Sequence, residues 1–199
     1  MRKVVLTEFL SLDGVMEAPD QWHFPFWSDE MGQYKQDEMM ATDALLLGRI
    51  TYEGFAAAWP NYQDEDGFAD RMNGVPKHVV STTLKNPEWN NSHVIRENVV
   101  AEINKLKEGD GGDILLCGSA ALAQTLLDDD VIDEYRLMVH PVVVGKGKRI
   151  FGDREAVKNL DLVKTEPLPN GVIVLTYAPS KAVAEGDEHP YEAQPAQEA

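Results

Sequence analysis

Asp113-Ile114-Leu115-Leu116-Cys117-Gly118-Ser119-Ala120-Ala121 decides the fold. The apolar run Ile114 to Cys117 is too short for a buried helix and right for a buried strand. Gly118 ends it, and Ser119 has the side chain that caps a helix, here Ala120 to Leu127. A buried strand passing through a glycine into a helix is one step of a parallel α/β sheet.

The same pattern recurs on either side. Ala44-Leu45-Leu46-Leu47 ends at Gly48, and a helix follows from Arg49 to about Ala57. Val4 to Leu10 is a buried strand closed by Ser11-Leu12-Asp13-Gly14. Lys77 to Ser81 is a strand, and Val94-Ile95 a shorter one. Ser28 caps a helix reaching about Ala41, with Asp29 and Glu30 suited to its first turn. Asn98 is expected to cap another, with Val99, Ile103 and Leu106 along one face. An acidic, Gly-containing stretch lies around Tyr62 to Asp70, and Glu134 to Val144 reads as one long strand. Leu160–Glu166 and Val172–Ala178, joined by Pro167 to Gly171, read as an antiparallel hairpin. These elements predict one α/β domain over residues 1–179. Its sheet is mixed and mostly parallel, with helices on both faces and an antiparallel C-terminal edge. Residues 180–199 hold little to bury and read as an acidic, disordered tail.

Composition narrows the function. The 199 residues are 43% hydrophobic and 26% charged, the balance of a globular protein. Lys and Arg number 18 against 34 Asp and Glu, a net charge of −16. That disfavours nucleic acid and anionic membranes as partners. One lysine against five acids gives the tail −4 and leaves −12 on the body. No run approaches a membrane span, and the N-terminus lacks the apolar core of a signal peptide. With the single cysteine, Cys117, this predicts a cytoplasmic protein without disulfides. The five histidines lack zinc-motif spacing, so no metal is expected.

Ligands of open α/β sheets bind beyond the carboxyl ends of the strands. Three junctions qualify. Gly48-Arg49-Ile50-Thr51 offers a close backbone approach and a guanidinium fork for phosphate. Ser81-Thr82-Thr83 offers hydroxyls. Gly118-Ser119-Ala120-Ala121 offers the free N–H groups of a helix N-terminus. Each also has a plainer reading as turn or cap. No dinucleotide glycine fingerprint, P-loop or nucleophile elbow is present. Cys117 reads as a buried strand end, and His140 as a hydrogen-bonded histidine within the sheet.

In this order the pieces resemble the dihydrofolate reductase-like superfamily. They are closest to the C-terminal reductase domain of the bifunctional riboflavin-biosynthesis deaminase-reductase and its stand-alone relatives. The resemblance runs over about residues 3–178. It rests on Ser11-Leu12-Asp13-Gly14, Leu47 to Glu53, Lys77 to Thr82, Ile114 to Ser119, and Asp133-Glu134 leading to His140-Pro141, Gly145-Lys146-Gly147 and Phe151. It implies an NADPH-dependent reductase, a homodimer in many relatives. By similarity, Gly48, Arg49 and Thr51 lie at the cofactor phosphates, Ser81 and Thr82 at the 2′-phosphate, and Gly118, Ser119, Ala120 and Leu122 along the pyrophosphate. Gly14 lies near the nicotinamide, and Asp13 is the first candidate proton donor. From the residues themselves, Trp22, His23, Phe24, Phe26 and Trp27 read either as an aromatic wall for a planar heterocycle, with Trp22 and Phe26 the substrate contacts, or as a loop packed onto the core, and Tyr52, one position past Thr51, is expected to face the pocket. True dihydrofolate reductases carry an acid on the first long helix, where Gly32 stands here, and a threonine where Val139 stands. The implied substrate is therefore a pyrimidine, a pterin or a flavin precursor. A true dihydrofolate reductase, or a silent NADPH-binding protein on the same scaffold, remain the alternatives.

Overall fold

The computed structural model describes residues 1–152 and 157–180; the tail expected at 180–199 lies almost wholly outside them. Eight strands form one sheet. They are β1 (Val4–Ser11), β2 (Thr42–Gly48), β3 (Lys77–Val80), β4 (Ser92–Ile95), β5 (Asp113–Cys117), β6 (Glu134–His140), β7 (Leu160–Pro167) and β8 (Ile173–Pro179). Their order is β4-β3-β2-β5-β1-β6-β8-β7. The first six are parallel, and β8 runs antiparallel between β6 and β7. This is the mixed, mostly parallel sheet expected of the sequence.

The helices are α1 (Asp29–Met40), α2 (Arg49–Ala58), α3 (Phe68–Gly74), α4 (Val99–Glu108) and α5 (Ala120–Asp128). Alternation along the strands sorts them into two layers. Val4, Leu6, Leu46, Ile114 and Leu116 pack under Ile103 of α4 and Leu122, Ala123 and Leu126 of α5. Val5, Leu45, Leu47, Val79 and Leu115 pack under Met39 of α1, Tyr52 of α2 and Met72 of α3. Towards β8, Met31 of α1 meets Met138, Val172 and Val174. A buried ionic cluster ties α1 down: Glu38 accepts from Thr7 Oγ1 at 2.9 Å and pairs with Lys35 and Arg136.

Two local expectations are corrected. β6 stops at His140 rather than Val144, because Pro141 has no N–H to give the ladder. The chain leaves the sheet there, and Val142 accepts from Leu12 N at 2.7 Å. The acidic stretch around Tyr62 to Asp70 leads into α3, where the Asp64 carboxylate accepts from Phe68 N and Ala69 N at 2.9 and 2.6 Å. Asn98 does stand before α4, but at φ 52° and with no side-chain capping bond. Among the described residues no helix is long and apolar enough to cross a membrane, and no group of His, Cys, Asp and Glu could hold a metal.

Candidate active site

β2 and β5 are neighbours, with Leu47 opposite Cys117. β2 sends its chain to α2 on one face, and β5 sends its chain to α5 on the other. Such a divergence opens a crevice at the carboxyl ends. Here it brings two of the three junctions into contact. A Cβ on Gly48 would lie 2.3 Å from Ser119 Oγ, and one on Gly118 would lie 2.5 Å from Thr51 Oγ1. Both glycines are therefore required for the first turns of α2 and α5 to meet. The N–H groups of a first turn have no partner within their own helix, and each helix dipole is positive at that end. Two such ends converge on one point. Ser119 caps α5 through Leu122 N at 3.4 Å, and Ala120 and Leu122 themselves are buried in the core beneath.

The third junction follows at β3, where Val80 pairs with Gly48. Ser81 Oγ accepts from Thr83 N and Leu84 N at 3.1 and 2.9 Å, so this hydroxyl shapes the turn. Thr82 is exposed. Arg49 stands at the rim with its guanidinium on the Glu53 carboxylate at 2.8 and 2.9 Å.

Asp13 is fixed as a clamp. Oδ1 accepts from Ser11 Oγ at 2.7 Å and Val144 N at 3.0 Å; Oδ2 accepts from Gly145 N at 2.9 Å and meets Arg149 at 3.3 Å. The Ser11 hydroxyl and then the Val144 amide hold its carboxyl down at about 2. A carboxylate so engaged has no proton to give at neutral pH. Gly14 closes the turn at φ 80°, donating to Ser11 O at 2.9 Å.

The carboxyl buried at this crevice is Glu8, which the sequence reading passed over. It is 8% exposed, and Oε1 accepts from Gly118 N at 2.6 Å. Burial, opposed by that bond and by Lys35, pushes it up to about 8. Its signal was available: one acid inside the run Val4 to Leu10. Burial likewise raises the Cys117 thiol well above its ordinary range, which suits an inert strand end.

On the α1 face, Trp22 and Phe26 meet edge-on around His140, at 5.4 and 6.0 Å between ring centres, with Phe9 at 5.4 Å. Val139 points to the opposite layer. Tyr52 goes elsewhere. It is 3% exposed and its hydroxyl accepts from Trp89 N at 3.0 Å, so it is spent on the core under α2. Asp29 is exposed on the first turn of α1.

Comparison with known proteins gives one family. The profile of the RibD C-terminal domain matches residues 2–174. The uncharacterized protein YyaP of Bacillus subtilis is 32% identical over 180 residues, covering 88% of this chain and 94% of the relative. Among solved structures, a putative riboflavin biosynthesis protein from Shewanella sp. PV-4 superposes with a TM-score of 0.72 at 20% identity, over 90% of this chain and 99% of that one. A diaminohydroxyphosphoribosylaminopyrimidine deaminase/5-amino-6-(5-phosphoribosylamino)uracil reductase from Thermotoga maritima gives 0.63 at 16% identity, over 90% of this chain and 57% of that one.

Proposed function

The chain belongs to the RibD C-terminal domain family, and from that premise we propose that it is an NADPH-dependent reductase of a small planar heterocycle of the pyrimidine, pterin or flavin-precursor type. The observation that carries the reading is the β2–β5 crevice, where the N-termini of α2 and α5 meet over Gly48 and Gly118. Paired helix N-termini suit a pyrophosphate, and the rim suits a further phosphate. In this reading Thr51, Ser119 and the backbone of Ala120 to Leu122 hold the diphosphate. Arg49, Ser81 and Thr82 hold the 2′-phosphate, and Gly14 borders the nicotinamide. NADPH, when bound, supplies the hydride. Trp22 and Phe26 stack the heterocycle, while Asp13 positions the loop over the site. Glu8, buried beside Gly118 at the floor of the crevice with its carboxyl raised by burial, is the acid assigned to protonation. Gly32 stands where a true dihydrofolate reductase carries its acid, and Asp29, three residues earlier, is exposed, which favours the riboflavin-type branch. Leu162, Val163 and Ile173, exposed on β7 and β8, suit a homodimer through that edge.

Fluorescence titration tests the cofactor assignment. NADPH is expected to bind more tightly than NADH, and equal dissociation constants would remove the 2′-phosphate site. Arg49→Ala is expected to weaken NADPH by about 1–3 kcal/mol, the worth of charged hydrogen bonds. Arg49 must first leave Glu53, an exposed pair worth about 0.2–1 kcal/mol. Glu53→Gln is therefore expected to tighten NADPH by up to about fivefold, and weaker binding would mean that Glu53 orients Arg49 instead. The body's −12 should repel NADPH at long range. Its association rate is expected to rise as salt is added from low ionic strength, and a falling rate would contradict an acidic shell around a locally positive site.

A further inference from the structure

His140 is fully buried at the end of β6, opposite Ser11 of β1. Its Nδ1 lies 3.0 Å from Met138 O and 3.3 Å from Leu10 O. Two carbonyls there require Nδ1 to carry the proton. Nε2 is then a bare acceptor, and it has no hydrogen-bond partner among the described residues. The expected satisfied histidine is thus satisfied on one side only. The other side is enclosed by Phe9, Trp22, His23 and Phe26, whose ring centres lie 5.4 to 6.2 Å away.

A buried acceptor without a donor is costly, and native proteins keep few of them. None of the enclosing rings answers it. The Trp22 indole N–H donates instead to Glu17 O at 3.1 Å, and His23 Nδ1 lies 2.7 Å from Pro19 O. Their segment is two short 3-10 turns, Pro19–Gln21 and Phe24–Phe26, entered through Ala18 at φ 48°. Phe24 and Trp27 in it are 62% and 45% exposed. The cover over His140 is thus a half-exposed aromatic loop rather than the core of the sheet. The segment holds the two residues assigned above to the heterocycle wall.

We propose that His140 Nε2 is the specificity-determining acceptor of the heterocycle site, taking a hydrogen bond from a ring N–H of a lactam-type pyrimidine or fused pyrimidine that slides in beside Trp22 and Phe26. The inference rests on the reductase reading for the nature of the ligand, and it adds which edge of the ring is read. A substrate that turns a carbonyl or an unprotonated ring nitrogen to Nε2 is rejected, because two lone pairs then face each other. Burial holds the imidazole below its ordinary pKa, so it stays neutral and cannot turn into a donor at neutral pH.

The test uses full-length protein labelled with 15N-histidine and saturated with NADPH, the NADPH binding itself being followed by fluorescence. Uracil presents ring N–H groups; 1,3-dimethyluracil has the same ring and none. Uracil at millimolar concentration is expected to move the His140 Nε2 resonance, and 1,3-dimethyluracil to leave it in place. A response to neither probe, or the same response to both, would overturn the proposal. His140→Phe is expected to weaken uracil at least about tenfold without changing the dimethyl compound, and His140→Gln, which keeps an acceptor, to retain the preference. If the phenylalanine variant does not fold, the resonance test on the unaltered protein still decides. NADPH binding with an unresponsive His140 sinks this inference alone. Failure of NADPH to bind sinks the reductase reading, while the two uracils still report on His140.

Discussion

Glu8→Gln is expected to stabilise the protein at alkaline pH while abolishing turnover. Burial lifts the Glu8 carboxyl from 4.5 to about 8. The unfolded chain releases its proton near the ordinary value, and the folded chain keeps it until about pH 8. Between those values the folded state binds the extra proton, so stability falls as pH rises through that window. Above about pH 8 the folded protein must bury a charge. A difference of that size is worth roughly 3–5 kcal/mol. Glutamine is neutral throughout, and its carbonyl can still accept from Gly118 N. The variant should match the native protein near pH 4 and exceed it by about 3–5 kcal/mol at pH 8.5, read as denaturation midpoints across pH. Parallel curves for the two proteins would show that Glu8 is not the buried titrating group. Activity separates the roles. If Glu8 supplies the proton, NADPH affinity should be kept and turnover lost, whereas unchanged turnover would leave it a purely structural acid. Few stabilising changes are expected to cost activity so directly, and that trade-off is a mark of a functional site.

The expectations that held rest on backbone logic, and those that did not, apart from the end of β6 at Pro141, turn on side-chain partners. The strand-glycine-helix steps at Gly48 and Gly118 are local, so periodicity and punctuation reveal them. That β2 and β5 become neighbours, with helices leaving to opposite faces, depends on sheet order, which no single step contains. Asp13 shows the limit most clearly. An aspartate before Gly14 reads equally as acid or turn residue, and the distinction lies 131 residues away, in the amides of Val144 and Gly145. Tyr52 follows Thr51 in the sequence but lies about 100° further round α2, which carries it to the core side. Glu8 was hidden for the opposite reason: a strand read as uniformly buried draws no attention to the one residue in it that titrates. His140 was placed correctly in the sheet, but whether its second nitrogen finds a donor is a tertiary fact.

The two glycines should fail in different ways when each is given a methyl group. At Gly118, alanine meets Thr51 Oγ1 at 2.5 Å and Cγ2 at 2.9 Å, with Thr51 Cβ further off at 3.3 Å. Its φ of +62° adds a left-handed conformation that costs alanine about 1 kcal/mol. Gly118→Ala is expected to destabilise by about 2–4 kcal/mol in all. Thr51→Ala removes both of the nearest atoms, so the double variant should recover most of the steric part and retain the conformational part. At Gly48 the φ is −80°, which any residue adopts, so the whole cost is steric. There the obstacle is Ser119 Oγ at 2.3 Å and also Ser119 Cβ at 2.4 Å. Ser119→Ala leaves that Cβ in place and should rescue nothing; Ser119→Gly should. Thermal unfolding of these pairs measures the coupling directly. NADPH titration then links it to the site. If the meeting of α2 and α5 forms the diphosphate cradle, Gly48→Ala should weaken NADPH at least about a hundredfold in protein that still folds, because the two helix ends can no longer converge. Unchanged affinity in a folded Gly48→Ala protein would place the cofactor elsewhere and leave the crevice a matter of packing alone.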